Sequence, residues 1–322
     1  MTFRRDLDKL SGAAPRAVNR VLAGVALDGS DERVLAAAGA VSLATGAQLT
    51  LVYAAEPVDG EWLVAASRLP ADGDDSLSAK IEQWLPPGVR HTVEVLRGPA
   101  HRVIAEAAAR TSPDLILVGA AADESKLLGS TAERVVRKST VPVLVVRGRF
   151  TAAPRQVLAP VDLSDLSSCG FHCGLAMASR LAAGAELQVL SLFAIGFLDP
   201  MSKEMRESGW TVDEMTARAA EKLDGFVNEH LPAVPLACET RVILGPARES
   251  IVEAAKVESA DLIVMSTHGY GGFERLVLGS VAATVVREAP CSVLLVPPDA
   301  AFCEQIGEAV LSQTAPYRAA GS

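Results

Sequence analysis

Aromatic side chains are scarce in this chain, at 4% of positions, and cysteines number only five. The cysteines (Cys169, Cys173, Cys238, Cys291 and Cys303) are odd in number, and no two stand in CxxC spacing. A disulfide framework or a four-cysteine zinc site is therefore not expected, and a reducing cytoplasm fits best. Positive charge is in deficit: 30 Lys and Arg against 39 Asp and Glu leave a net charge of −9. That balance argues against a nucleic-acid backbone as partner, although a local loop can still hold one small nucleotide. No apolar run approaches the roughly 18 residues of a membrane span, so no membrane partner is expected. The opening Met1-Thr2-Phe3-Arg4-Arg5-Asp6 carries no apolar signal-peptide core.

What is present is apolar and aliphatic. Hydrophobic residues make up 49% of 322 positions, enough for two sizeable cores. Cys169, His172 and Cys173 fall on one expected helix. A metal there would need two more ligands that the surrounding sequence does not offer, so these residues read as packing.

The chain repeats itself. Val21-Leu22-Ala23-Gly24-Val25-Ala26-Leu27-Asp28 matches Val157-Leu158-Ala159-Pro160-Val161-Asp162. Each run leads into a Ser/Asp-rich turn that supplies a helix cap, then into a small-residue helix expected at about 33–45 and 168–182. Gln48 to Tyr53 matches Glu186 to Ser191, following the shared Gly-Ala steps Gly46-Ala47 and Gly184-Ala185. Val93 to Ala100 matches Thr240 to Ala247, Ser112 to Val118 matches Ser259 to Met265, and Val141 to Val146 matches Cys291 to Val296. The offset is 134 from Asp28 to Asp162, 147 from Asp114 to Asp261 and 150 from Val143 to Val293. The second copy therefore gains residues after its second strand and again in the loop after its fourth.

Five short apolar runs interleaved with helical segments read as βαβ units. Continuous Val/Ile/Leu runs suit strands covered on both faces, as in parallel sheets. The expected fold class is α/β: two tandem, doubly wound, five-stranded parallel-sheet domains at 18–148 and 154–298. An arm at 1–17 and a tail at 299–322, with Phe302, Ile306, Val310 and Leu311 at helical spacing, flank them. Ligands of such sheets sit beyond the carboxyl ends of the strands, where strand order reverses.

After the fourth run of the second copy comes Ser266-Thr267-His268-Gly269-Tyr270-Gly271-Gly272-Phe273-Glu274-Arg275-Leu276-Val277-Leu278-Gly279-Ser280, then a helix. Glycines permit close backbone approach, and a Gly-Ser step opening a helix offers unpaired amides and a positive dipole end to an anion. No Lys follows the last glycine, so this is not a P-loop.

The strand-one Asp, the Gly-Pro-Ala steps and the pattern G-x2-G-x9-G-[ST] resemble the universal stress protein family in its tandem form. The resemblance implies a Rossmann-like, adenine nucleotide alpha hydrolase-like fold and a site for ATP or another adenine nucleotide, with or without Mg²⁺. The second copy reads Ser266-x2-Gly269-x9-Gly279-Ser280, with Ser in place of the first glycine. By that resemblance the ligand would meet Pro160 and Asp162 after the first strand, Leu192 beside the adenine, Met265 ahead of the loop, and Ser266, Gly269, Gly279, Ser280 and Val281 around phosphates and ribose. A helix cap is the competing role for Asp162.

The first copy departs from the pattern. Ala122 replaces the second glycine, six residues rather than nine separate it from Gly129, and Asp123 and Glu124 stand where phosphates would arrive. It is expected to be empty or weak, serving as a partner for the second copy. Three readings follow: a nucleotide-binding stress or signalling protein with at most weak ATP hydrolysis; a dimerisation or interaction protein that binds no nucleotide; and a nucleotidyl or electron-transfer enzyme on a related sheet. Glu274, Arg275 and Ser280 could serve hydrolysis, but no spacing commits them to it. Association is expected through the last strand, either between the two copies of one chain or in a homodimer.

Overall fold

The computed structural model describes residues 2–3, 18–25, 31–55, 75–120, 130–148, 150, 153–183, 185–196, 207–267 and 278–297. The strands are β1 (Thr2–Phe3), β2 (Arg20–Val25), β3 (Gln48–Ala55), β4 (His91–Arg97), β5 (Leu115–Gly119), β6 (Val143–Val146), β7 (Gln156–Val161), β8 (Leu187–Ile195), β9 (Leu236–Leu244), β10 (Leu262–Ser266) and β11 (Ser292–Val296). The helices are α1 (Asp31–Thr45), α2 (Asp75–Trp84), α3 (Ala100–Thr111), α4 (Ser130–Lys138), α5 (Asp165–Leu181), α6 (Val212–His230), α7 (Ala247–Val257) and α8 (Ser280–Glu288).

All eleven strands form one sheet in the order β1-β9-β8-β7-β10-β11-β6-β5-β2-β3-β4. Each half contributes a five-stranded parallel sheet in which the first strand lies at the centre and strand order reverses between the first and fourth. In the second half that reversal falls between β7 and β10, which pair in parallel. The halves join where β11 pairs antiparallel with β6, with Leu144 opposite Leu294. These two residues are counterparts at the offset of 150, so the seam is related to itself by an approximate twofold. At the far end, Thr2 and Phe3 lie antiparallel to β9, opposite Glu239 and Cys238. The start of the expected arm is thus a strand, drawn to the open amides and carbonyls of β9. The tail at 299–322 lies outside the described residues.

The doubly wound arrangement puts one buried cluster on each face. One joins α1, α2, α5 and α6 to the sheet, and the other joins α3, α4, α7 and α8. Both run across the seam, so the sheet shares its cores between the halves. Among the described residues no helix is long and apolar enough to cross a membrane.

Two local details refine the repeat. The Gln48 amide donates to Asn19 O at 2.8 Å, and the Gln188 amide donates to Arg155 O at 2.8 Å. Gln48 is therefore the counterpart of Gln188, two residues beyond the match expected from the Gly-Ala steps. The reason lies in the turn: a left-handed residue follows the helix at Gly46 (φ +73°) in one half and at Ala183 (φ +52°) in the other. A slip of two keeps every side chain on its own face, so the apolar pattern cannot reveal it. α6 has 19 residues against 10 in α2 and begins with a capping box: Thr211 Oγ1 accepts from the Glu214 amide, while the Glu214 carboxylate accepts from the Thr211 amide at 2.8 Å.

Candidate functional site

The carboxyl end of β7 runs Pro160, Val161, Asp162, and the chain then turns sharply. Leu163 takes a left-handed φ of +64°, which costs a non-glycine residue about 1–2 kcal/mol. Asp162 offsets that strain: its Oδ1 accepts from the Ser164 amide at 3.1 Å and from Ser164 Oγ at 2.6 Å. The Asp162 amide donates to Ser167 Oγ, and Ser164 Oγ accepts from the Ser167 amide as the cap of α5. Ser164 rather than Asp162 caps α5, and the half-buried Asp162 carboxylate braces that cap.

Across the reversal, β10 ends at Ser266. The Thr267 amide donates to Val296 O at 3.0 Å, and the Gly279 amide donates to Thr267 O at 3.0 Å. Both feet of the glycine loop are thereby pinned together beside the ends of β10 and β11. Gly279 is the cap of α8 and provides no side-chain hydrogen bond. Its own amide is committed to Thr267, so the amides that open the helix are those of Ser280, Val281 and Ala282. Ser280 is exposed and Val281 half-buried. Leu278 seals this end of the helix from below, in one buried cluster with Leu192, Met265 and Ala282.

The predicted residues thus separate by depth. Asp162, Ser266, Gly279, Ser280 and Val281 reach the surface, whereas Pro160, Leu192 and Met265 are buried. Leu192 has no exposed surface. Gly269 lies outside the described residues, as do His268, Tyr270, Phe273, Glu274 and Arg275. In the first half, Asp28 and the segment from Ala122 through Gly129 lie outside them too. There the described frame is the same: the Ala120 amide donates to Val146 O at 3.0 Å, as Thr267 does to Val296.

Helix α5 presses on the foot of this loop. A Cβ added to Gly170 would fall 2.7 Å from Ser266 Cβ and 2.8 Å from its amide nitrogen. A Cβ on Gly174 would fall 2.2 Å from Val264 Cγ1. In the first half the small residue is in the strand: a Cβ on Gly119 would come within 3.1 Å of Val34 Cγ2. The Ser266 that stands in place of the motif's first glycine therefore packs against a glycine from α5.

Over residues 19–147, and again over 154–297, the chain matches the model of the Universal stress protein family. The chain belongs to that family. It is 33% identical over 178 residues to a universal stress protein of Mycolicibacterium smegmatis, a match covering 53% of this chain and 56% of that one. The chain thus spans just over half the length of that relative. A universal stress protein of Mycobacterium tuberculosis is 26% identical over 277 residues, covering 77% and 86%. A crystal structure of a universal stress protein from Archaeoglobus fulgidus shares the fold with a TM-score of 0.59 at 19% identity, over 87% of this chain and 99% of that one.

Sequence reasoning about this universal stress protein missed the residues that lock its strands at the opposite end. Asp114 Oδ2 accepts from the Asn19 and Arg20 amides at 2.9 and 3.0 Å. Asp261 Oδ2 accepts from the Arg155 and Gln156 amides, both at 2.9 Å. An Asp preceding the fourth strand in both copies was the available signal. Cys173, Cys238 and Cys291 are buried free thiols pushed up to about 12 by that burial, which makes them poor nucleophiles. Cys169 is disulfide-bonded, which the sequence reading did not anticipate, and Cys173 Sγ lies 3.8 Å from its sulfur. Among the described residues no group of His, Cys, Asp and Glu is placed to hold a metal.

Proposed function

We propose that this universal stress protein binds ATP or another adenine nucleotide in its second half and acts in the cytoplasm as a stress-response or signalling protein rather than a fast enzyme. One observation supports the reading: Thr267 and Gly279, the two feet of the glycine loop, are pinned together at the start of α8, whose cap supplies no side-chain hydrogen bond. Phosphates would sit on the Ser280, Val281 and Ala282 amides, where the helix dipole favours negative charge. The oriented Asp162 carboxylate would accept from the ribose. Pro160, Leu192 and Met265 would shape the apolar floor under the adenine, with Gly269 closing over the phosphates. The halves would be bounded at 18–148 and 154–298, with the first empty or weak. Protein purified without nucleotide should release adenine nucleotide on denaturation or bind ATP, ADP or AMP in calorimetric titration. Failure of both sinks the proposal. Gly279→Val should abolish that binding, and steady-state turnover of ATP should stay slow with or without Mg²⁺.

A second reading is supported by Ser266 and by the Gly279 amide already spent on Thr267: an interaction protein that ignores nucleotide. Its association state, a monomer paired only within itself or a homodimer, would then be unchanged by ATP in light scattering.

A further inference from the structure

The seam between the halves is symmetric in its backbone and one-sided in its polar contacts. The Arg147 amide donates to Ser292 Oγ at 3.0 Å, and Ser292 Oγ donates back to Arg147 O at 3.1 Å. The Arg147 guanidinium crosses the seam and donates from Nη2 to Val286 O at 3.2 Å and to Arg287 O at 2.7 Å. Those carbonyls lie in the last turn of α8, the helix whose other end carries Gly279 and Ser280. At the offset of 150, the counterpart of Arg147 is Pro297 and that of Ser292 is Pro142. Proline has neither an amide hydrogen nor a side-chain donor, so neither partner of the contact can be reproduced across the twofold toward α4.

We propose that Arg147 is a positioning residue through which the first half holds the second half's anion-binding helix in place. Carbonyls at a helix C-terminus lack intrahelical partners and carry the negative end of the dipole, so a guanidinium there both satisfies them and complements the charge. α8 has only nine residues, so fixing its last turn from across the seam also constrains where its first amides point. The degenerate half thus acts as the built-in support of the other half's site. The proposal rests on the nucleotide reading for its ligand but not for its contact.

The test uses the full chain with Arg147→Met, which keeps the aliphatic stem and removes the donors, and Arg147→Lys, which keeps one charged donor. ATP affinity by calorimetry and amide hydrogen exchange of α8 and α4 are measured on each. Arg147→Met should weaken ATP binding by about three- to tenfold and speed exchange in α8, with α4 unchanged. Arg147→Lys should lie between that variant and the wild type. Unchanged affinity and exchange in Arg147→Met would overturn the clasp, and so would faster exchange in α4 and α8 alike. If Arg147→Met does not fold, Arg147→Lys decides by the same two readouts. If the wild type binds no adenine nucleotide, the nucleotide reading fails, and exchange in α8 alone decides the clasp.

Discussion

The two halves share one plan and differ in where they place the exceptions. In the first, the fourth strand ends in Gly119 and the neighbouring helix brings Val34 against it. In the second, the strand ends in Ser266 and the helix yields with Gly170. The first half sends Arg147 across the seam, while the second faces it with Pro297. The strand lock is buried at Asp114 in the first half and exposed at Asp261 in the second. A repeat within one chain need not keep its copies equal, and here the inequalities fall at both ends of the strands and at the seam.

The strand lock gives the largest test of that comparison. Asp114→Ala leaves two amides without their acceptor in a buried setting and should cost about 2–3 kcal/mol in denaturant unfolding. Asp261→Ala, where water can replace the carboxylate, should cost about 1 kcal/mol. Equal losses would show that burial does not set the difference. The exchange of small residues comes next. Gly170→Ala forces a methyl against strand backbone and should cost about 1–3 kcal/mol. Gly119→Ala needs only a small shift of one Val methyl, and its cost should stay below about 1 kcal/mol. If the two melt alike, the asymmetric packing at the strand ends is wrong.

A smaller and symmetric effect is expected at the third helix of each half. Ser112 (φ +46°) and Ser259 (φ +50°) both hold left-handed backbone just past a helix. Replacing either with Gly should raise stability by about 0.5–1 kcal/mol, equally in both halves. The least effect is a pH dependence at one histidine of the second half. Burial at the end of α6, against Phe226, pulls the His230 imidazole below its ordinary 6.5, partly countered by Glu229 and Asp165. The unfolded chain then takes up the proton first. Stability present above 6.5 is lost as pH falls toward the folded value. Melting temperatures from pH 7.5 to 5 should show that loss, and His230→Asn should flatten it.

Much of the fold was legible because the apolar runs are continuous and repeat in order. α/β class, five strands per half and the helix expected from about 168, which starts at Asp165, all follow from that. Family membership followed from Asp162 and the Gly279-Ser280 step. The match of β3 to β8 slipped by two because the left-handed turn includes Gly46 of the Gly-Ala step in one half, but Ala183, ahead of that step, in the other. The partnering of Ser266 with Gly170, and of Arg147 with α8, depends on residues far apart in sequence that only packing brings together. Among the predicted site residues, the sequence could not separate Leu192, which is fully buried, from Ser280, which is exposed, because motif position says nothing of depth.

The two ends of the sheet are bordered differently. At one end Thr2 and Phe3 pair with two residues of β9; at the other, among the described residues, β4 has no strand beside it and leaves Val93 39% exposed. Two chains meeting edge to edge at β4 through a twofold would consume that border in both.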